Sequence, residues 1–227
     1  MSTNYDSGSV TSTQQGVHEQ LPNVVRRHWR QQWRKPIASH NRRAFTAVQR
    51  RLASDPGPLI LDSGCGVGES TAFLGETHAD CWVIGVDKSA HRLRQRKAQE
   101  HCVQQGNILW VRADLVDFWR LARAEGWRLQ QHYLLYPNPW PKPGHLQRRW
   151  HGHAVFPDLI ALGGRLELRS NWSVYVDEFA TALGLCCGET PAVEQFTPAQ
   201  AITPFERKYA DRGEPLYRLQ EELPYRR

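Results

Sequence analysis

Short apolar runs alternate with segments of spaced apolar positions along most of this chain. The runs end at turn-forming residues and are of strand length, which is typical of buried strands. They are PLILDS (58–63), CWVIGVD (81–87), NILWVRA (107–113), QHYLLYP (131–137) and GRLELRS (164–170). Between them, spacings such as that of Leu115, Phe118 and Ala122 indicate helices. This alternation predicts right-handed crossovers and an α/β fold with a mostly parallel, doubly wound sheet.

The two ends of the chain depart from this pattern. Residues 1–22 are polar and rich in Ser, Thr, Gln and Gly, which predicts a disordered tail ahead of a single domain over residues 23–227. After Cys187 the apolar pattern loosens into a segment that contains proline. The stretch GEPLYRLQ (213–220) then predicts a final, antiparallel strand.

The segment 26–43, RRHWRQQWRKPIASHNRR, is basic and contains no acidic residue. It is either a contact surface for RNA or a solvated amphipathic helix, and we expect Trp29 and Trp33 to point inward and the arginines outward. The net charge of +6 favours a polyanionic partner, although such a surplus is also common on proteins that bind nothing acidic.

Several classes of protein are disfavoured by the sequence. No apolar stretch approaches the roughly 20 residues that a membrane span needs, and the N-terminus lacks the features of a signal peptide. The five cysteines include no CxxC pair, which disfavours a disulfide framework or a zinc site. His145, His151 and His153 have no acid or cysteine at ligand spacing, so we expect no metal. We expect a cytoplasmic protein without a membrane partner.

The first predicted strand runs into a glycine-rich turn, LDSGCGVGES, with Gly64, Gly66 and Gly68. Glycines at a strand–helix turn let the backbone approach a ligand closely. The GxGxG spacing differs from the GxGxxG of dinucleotide-binding turns, and Asp62 would repel a pyrophosphate. A cofactor with a positive charge, such as S-adenosylmethionine, suits this turn better. The alternative is a tight turn that binds no ligand.

Two more acids follow the next strands. Asp87 ends the second predicted strand, where it can accept hydrogen bonds from ribose hydroxyls, and Asp114 follows the third, where it can accept from an adenine amino group. Each aspartate alone is more often a helix N-cap than a ligand. Acids at three successive strand ends beside a glycine turn favour a cofactor site, because ligands of open α/β sheets bind at that edge.

The second half of the chain contains a series of motifs in a specific order. They are YPNPWPK (136–142), His145, Arg148-Arg149, SNW (170–172) with Tyr175, and TPFE (203–206). In this order they resemble the bacterial tRNA (guanine-N7-)-methyltransferases, the TrmB-like family, whose markers read FPDPWPK, H-x-K-R-R, TDW-x-x-Y and T-x-FE. The resemblance covers roughly residues 35–220. It implies a class I Rossmann-like fold and methylation of a guanine at N7 in the tRNA variable loop, with S-adenosylmethionine as the methyl donor.

The resemblance also implies roles for individual residues. Asp62, Asp87 and Asp114, with the three glycines, match the cofactor site, and Asn138 stands at the position of a catalytic aspartate that also lies against the cofactor. The positions that match substrate-binding residues are Lys142, His145, Arg148, Arg149, Asn171, Tyr175, Thr203, Phe205 and Glu206. The implied partner is tRNA, and the sequence leaves open whether the protein is a monomer or a homodimer.

Asn138 and Asn171 are departures, because the family has aspartate at both positions. Guanine N7 carries no proton, so its methylation needs no general base, but a nearby carboxylate would stabilise the charge that moves onto the purine. Losing such a group costs about 3 kcal/mol, roughly a hundredfold in rate. We therefore expect slow transfer, and we expect faster transfer once both aspartates are restored. The alternatives are polar loop residues that bond nearby backbone, another RNA base or small molecule as substrate, or a catalytically idle RNA-binding homologue.

Overall fold

The computed structural model describes residues 10–31, 33–96 and 101–225. The strands are β1 Leu59–Ser63, β2 Trp82–Asp87, β3 Cys102–Gln105, β4 Ile108–Arg112, β5 Leu129–Leu135, β6 Gly164–Ser170, β7 Val193–Phe196 and β8 Leu216–Leu223. The α-helices are α1 Leu21–Arg30, α2 Ser39–Ser54, α3 Glu69–Thr77, α4 Leu115–Ala124, α5 Phe156–Ala161, α6 Ser173–Cys187 and α7 Pro204–Asp211. Short 3-10 helices span Arg92–Arg96, Pro143–Arg148 and Trp150–Gly152.

The strands form one sheet in the order β3-β4-β2-β1-β5-β6-β8-β7. The central pairs β4–β2, β2–β1, β1–β5 and β5–β6 are parallel, whereas β8 runs antiparallel to β6. This confirms the mostly parallel sheet with an antiparallel C-terminal strand. The strands β3 and β7 were not predicted, because their residues are only partly buried and form no apolar run.

Both faces of the sheet are covered, as the continuous apolar runs predict. Neighbouring residues of β1 belong to different buried clusters, Leu61 to the larger one and Ile60 to the smaller. The same division separates Ile84 from Val83 on β2. Because successive side chains of a strand point to opposite faces, each buried strand contributes to two cores.

The N-terminal segment differs from the expected tail over residues 1–22. Within residues 10–22, Val10 packs against the core, Ser12 donates a hydrogen bond to the carbonyl of Pro141, and Leu21 is fully buried at the start of α1. Residues 1–9 lie outside the described part of the chain. The segment therefore joins the domain at least from residue 10 onward.

The basic segment 26–43 covers the end of α1 and the beginning of α2. Trp29 is half-buried and packs against the larger core, and Trp33 is half-buried with its ring edge-on to His153. Arg26 and Arg27 are exposed. The tryptophans therefore lie inward and these arginines outward. None of the helices within the described ranges has both the length and the apolar composition that crossing a bilayer requires.

The helix α3, which follows the glycine turn, lies unusually close to β2. A Cβ added at Gly85 would lie 2.5 Å from Thr71 Oγ1. Thr71 is fully buried, and its hydroxyl donates to Asp62. A glycine at position 85 thus lets the helix approach and sets the position of a hydroxyl in the candidate site.

We expect Gly85→Ala to lower the free energy of unfolding by about 1–3 kcal/mol, because the added methyl overpacks the contact with Thr71. Urea unfolding followed by circular dichroism measures the change. Gly16→Ala is the matched control: Gly16 has nothing within 4 Å of an added Cβ, so a shift below about 0.5 kcal/mol is expected. Equal stability of the two variants would contradict this packing.

Candidate active site

The sequence-predicted residues meet at one edge of the sheet. Asp62 and Asp87 lie at the carboxyl ends of β1 and β2, and Asp114 follows β4. Asn138 follows β5, and Asn171 follows β6. Because β4, β2, β1, β5 and β6 are parallel neighbours, their carboxyl ends share one edge, where open α/β sheets bind ligands.

The glycine turn at this edge has a backbone that requires glycine. Gly64, Gly66 and Gly68 have φ angles of 83°, 59° and 81°, a region that residues with a side chain rarely adopt. The backbone N–H of Gly66 donates to Asp87 Oδ2 at 3.0 Å. The turn is thus held against the acid of the neighbouring strand.

Asp62 is a buried carboxylate without an ion-pair partner among the described residues. Its Oδ2 accepts hydrogen bonds of 2.6 Å from both Ser70 and Thr71, and no described donor reaches Oδ1. Burial raises the pKa of Asp62 from 3.8 to about 6, the hydrogen bonds oppose this, and the charge of Asp87 adds to it. A positively charged group at this place would compensate the buried charge. The site therefore fits the cation of S-adenosylmethionine.

The other two acids already make hydrogen bonds and retain acceptor capacity. Asp87 Oδ1 accepts from the N–H of Ser89 at 2.7 Å, and Arg92 lies 3.5 Å from Oδ2. Asp114 caps α4 by accepting from the N–H of Val116 at 2.9 Å. The capping role weighed as an alternative is thus correct for Asp114, but it uses only Oδ1.

Cys65, within the glycine turn, is not a nucleophile in this setting. Burial raises the pKa of its thiol well above the usual range, and the charges of Asp62 and Asp87 raise it further. A thiolate is the reactive form of cysteine, and it is strongly disfavoured here.

The proline-rich loop after β5 has a strained backbone. Tyr136 and Trp140 have φ angles of 49° and 45°, uncommon for residues other than glycine. Asn138 is exposed, and its Oδ1 accepts from the N–H of Trp140 at 3.2 Å. The exposed Arg148 places its guanidinium 4.9 Å from the centre of the Trp140 ring. Asn138 thus bonds nearby backbone, as one alternative anticipated, while its position stays at the ligand edge.

The basic residues of this loop divide into exposed and buried ones. Lys142 and Arg148 are exposed, and His145 is half-buried with its ring edge-on to Trp140. Arg149, by contrast, is fully buried and forms an ion pair with Glu178. The expected RNA contact is therefore corrected for Arg149, because its guanidinium is inaccessible.

Two other expected substrate contacts are also buried. Tyr175 is fully buried, and its hydroxyl oxygen accepts from the N–H of Trp150 at 3.3 Å. Glu206 is fully buried and accepts from the hydroxyl of Tyr136 at 2.9 Å and from Arg169 at 2.8 Å. Both residues support the site from within the core. The expectation that they contact the substrate directly is therefore wrong.

The remaining residues of the TPFE motif form the start of α7. Thr203 caps the helix, because its hydroxyl accepts from the N–H of Glu206 at 3.0 Å. Phe205 is partly exposed and stacks on Tyr209 with ring centres 6.4 Å apart. Of this motif, Phe205 offers the accessible side chain.

Asn171 has a partner that explains an amide at this position. Its Nδ2 donates to Glu214 Oε2 at 3.0 Å. An aspartate at position 171 would instead place two carboxylates in contact, which raises the energy of both. The negative charge at this corner of the edge is therefore carried by Glu214.

Two side chains that support the cofactor edge were missed by the sequence reasoning. Arg96 donates to the carbonyls of Val67 and Gly68 at 3.2 Å each and so braces the glycine turn. Asn41 is buried, and its Oδ1 accepts from the N–H of Asp114 at 3.1 Å. No motif or spacing marks either residue, because their partners lie far away in the sequence.

The exposed basic residues of α1 and of the loop adjoin each other. Arg27 on α1 donates to Gln147 Oε1 at 3.2 Å. This contact places Arg27 beside the 3-10 helix Pro143–Arg148, which ends in the exposed Arg148. A basic surface thus borders the edge that carries Asn138.

An open groove of about 800 Å³ lies elsewhere, at the amino end of β5. It is lined by Arg120 and Arg123, whose charges are compensated by Asp117 at 3.6 Å and Asp158 at 3.1 Å. Because the ligand edge of a parallel sheet is the carboxyl edge, this groove is not assigned as the active site.

We expect the affinity for S-adenosylmethionine to fall about tenfold between pH 7.5 and pH 5, because a cation binds the ionised form of Asp62 and its pKa is about 6. Isothermal titration calorimetry measures this affinity. The raised pKa also means that the contribution of Asp62 to the stability of the free protein falls as the pH rises from about 4 to about 6, since its folded form binds the proton more tightly.

Asp62→Asn is the matched control for this pH dependence. It keeps an acceptor for Ser70 and Thr71 but removes the titrating charge, so the unfolding free energy of the unaltered protein should fall relative to that of Asp62→Asn between about pH 4 and pH 6, and the cofactor binding of the variant should weaken. An affinity of the unaltered protein that stays constant between pH 5 and pH 7.5 would contradict the role assigned to Asp62.

Solved structures with a similar fold are methyltransferases. The structure of an antibiotic-related methyltransferase aligns with a TM-score of 0.57 and 12% identity over 79% of this chain and 94% of that one. The 16S rRNA methyltransferase KamB aligns with a TM-score of 0.57 and 16% identity over 83% and 95%. At this identity the likeness shows the class I methyltransferase fold alone.

Relatives by sequence are named tRNA (guanine-N(7)-)-methyltransferase. The one from Rubrobacter xylanophilus is 28% identical over 74% of this chain and 78% of its own length. The one from Treponema pallidum (strain Nichols) is 25% identical over 78% and 73%. The model of the family Methyltransf_4, described as "Putative methyltransferase", matches residues 56–219. Because this match spans most of the domain, from β1 to β8, the chain belongs to that TrmB-like methyltransferase family.

Proposed function

We propose that this protein transfers a methyl group from S-adenosylmethionine to N7 of a guanine in the variable loop of tRNA. The observation that carries the proposal is the shared edge of two neighbouring parallel strands. The strand β1 leads through Asp62, a carboxylate with no ion-pair partner among the described residues, into the glycine turn, and β5 leads into the loop with Asn138. The named activity of the relatives supports tRNA as the substrate and the cytoplasm as the location.

The chain holds the cofactor through its acids and the glycine turn. S-adenosylmethionine, when bound, supplies the methyl group and a positively charged sulfur. Asp62 compensates positive charge, and the free acceptor sites of Asp87 and Asp114 suit the hydroxyl and amino groups of the nucleoside. The left-handed glycines leave space for a ligand against the backbone, since an added Cβ at Gly66 would meet no atom within 4 Å.

The transfer step itself requires alignment more than proton chemistry. Guanine N7 presents a lone pair, so no residue has to remove a proton. The protein has to bring N7 in line with the methyl group and exclude water from the reacting atoms. The loop 136–142 is suited to this task, because its prolines fix φ and its ends are held by hydrogen bonds to the rest of the domain.

Asn138 keeps the geometry of the loop but supplies no charge. Its amide oxygen accepts the N–H of Trp140, a bond that a carboxylate can also accept. The second oxygen of a carboxylate would remain free to stabilise positive charge on the purine. This favours slow methyl transfer by the natural sequence.

The tRNA is bound by the basic surface beside the loop. Arg26, Arg27 and Arg30 on α1 and Lys142 and Arg148 on the loop are exposed. Arginine and lysine side chains on such a surface bind phosphates without regard to sequence, and this binding weakens with salt. The base would be selected at the edge between Asn138 and the Asn171–Glu214 pair.

Incubating the purified protein with unmodified tRNA and labelled S-adenosylmethionine should place the label in 7-methylguanosine. Nuclease digestion and mass spectrometry identify the product. Asp62→Asn should lose the label, because cofactor binding requires the carboxylate. Label in another nucleoside would show that the enzyme methylates a base other than the proposed guanine. Cofactor binding without transfer to any RNA would identify an inactive homologue.

Asn138→Asp should raise the rate constant for transfer by about tenfold to a hundredfold, because a charge at this position is worth about 3 kcal/mol. Single-turnover kinetics with saturating tRNA measures it. Asn171→Asp is the contrasting variant: it faces Glu214 at hydrogen-bond distance and should give no gain. The sequence predicts a gain when both aspartates are restored together, and we now assign that gain to position 138. A gain from position 171 alone would contradict the assignment.

A further inference from the structure

We propose that Arg149 is a positioning residue for the loop 136–142, with Glu178 as its counter-ion and Gln14 of the N-terminal segment as a bridge between the two. The role rests on the proposed function, because the loop carries Asn138 at the ligand edge. It differs from the RNA contact that the resemblance implies for the same residue.

The hydrogen bonds of Arg149 are directed at the backbone of the loop. Its Nε and Nη2 donate to the carbonyl of Trp140 at 3.2 and 3.1 Å, and Nη2 lies 3.4 Å from the carbonyl of Lys142. The guanidinium also lies 4.9 Å from the centre of the Trp172 ring. A planar guanidinium can hold several acceptors at once, whereas a lysine ammonium acts as a point charge.

The loop requires such a brace because of its strained backbone. Trp140 has a φ of 45°, a conformation that persists only where its surroundings fix it. Its carbonyl is held by Arg149, and its N–H is held by Asn138 Oδ1. The position of Trp140 therefore sets the orientation of the Asn138 amide, and Arg149 acts on Asn138 through it.

Glu178 fixes Arg149 from the other side. It is fully buried and accepts from Arg149 Nη1, from His151 Nε2 at 2.8 Å and from the N–H of His18 at 3.0 Å. Burial alone would raise the pKa of Glu178, but the hydrogen bonds and charges of His151 and Arg149 lower it to about 2. The carboxylate is thus ionised, and Arg149 is its charged partner.

The N-terminal segment completes the arrangement from outside. Gln14 accepts from Arg149 Nη2 at 3.0 Å and donates from Nε2 to Glu178 at 2.6 Å. Two residues earlier, Ser12 donates to the carbonyl of Pro141 at 2.6 Å. A segment with no apolar pattern therefore binds both the loop and the ion pair beneath it.

The central test compares Gln14→Ala with Gln15→Ala by hydrogen exchange. Gln15 is the exposed neighbour of Gln14 and makes no hydrogen bond to the described residues, so its variant should match the unaltered protein. In Gln14→Ala the amide of Trp140, which donates to Asn138, and that of His145, which donates to the carbonyl of Lys142, should exchange at least tenfold faster. Arg149→Lys should show a larger increase, because it keeps a charge beside Glu178 but loses the bonds to the loop carbonyls.

The same variants are then compared in methyl transfer to tRNA. Gln14→Ala should lower kcat about tenfold and leave KM for tRNA and the affinity for S-adenosylmethionine within twofold. Arg26→Gln, a variant of an exposed arginine on α1, should instead raise KM for tRNA without faster exchange at Trp140. Thermal unfolding of each variant identifies those that lose stability as a whole.

The two measurements separate this proposal from the proposed function. Unchanged exchange at Trp140 and His145 in both Gln14→Ala and Arg149→Lys would overturn the positioning role, whatever the substrate. Faster exchange together with a rise in KM and an unchanged kcat would also overturn it, because Arg149 would then serve RNA binding. If the unaltered protein transfers no methyl group to tRNA, the proposed function fails, and the exchange data still decide the role of Arg149.

Discussion

A buried carboxylate that has no counter-ion among the described residues is the constraint on which the candidate site depends. Removing the charge of Asp62 from water is costly, and two hydroxyl donors on α3 offset only part of that cost. The close packing of α3 on Gly85 fixes these donors, so the packing of the sheet determines the electrostatics of its edge. The remaining cost is relieved when a cation binds, which links the stability of this edge to occupancy of the cofactor site.

Glu178 is the opposite case within the same domain. It accepts four hydrogen bonds, two of them from the N-terminal segment, and it pairs with an arginine that is itself fully buried. A satisfied pair of this kind gives a fixed geometry and leaves no charge for a ligand. Asp62, with two hydrogen-bond donors, is therefore suited to binding a ligand, whereas Glu178, with four donors, is suited to holding the structure in place.

The sequence predicted those features that depend on neighbours in the chain. The long buried strands and the glycine turn have local signatures, and the order of the motifs identified the family. The strands β3 and β7 are short and half exposed, so they have no apolar run to recognise. The burial of Arg149, Tyr175 and Glu206 follows from partners such as Glu178, Trp150 and Tyr136, which lie far away along the chain. A motif records that a residue is needed, but it does not record whether the residue faces the substrate or the framework.

The two asparagines show why a substituted position has to be judged together with its surroundings. Within the described ranges, the side chain of Asn138 bonds only to the backbone two residues away, so no described neighbour requires an amide, and a carboxylate would fit the same turn. Asn171 donates to Glu214, and that bond needs the hydrogen of an amide. The asparagine at position 138 therefore removes a charge from the edge. The asparagine at position 171 instead occurs together with Glu214, a carboxylate from a different segment. Similar departures from one family pattern thus have different physical consequences, and only the one at Asn138 should slow the transfer of charge to the purine.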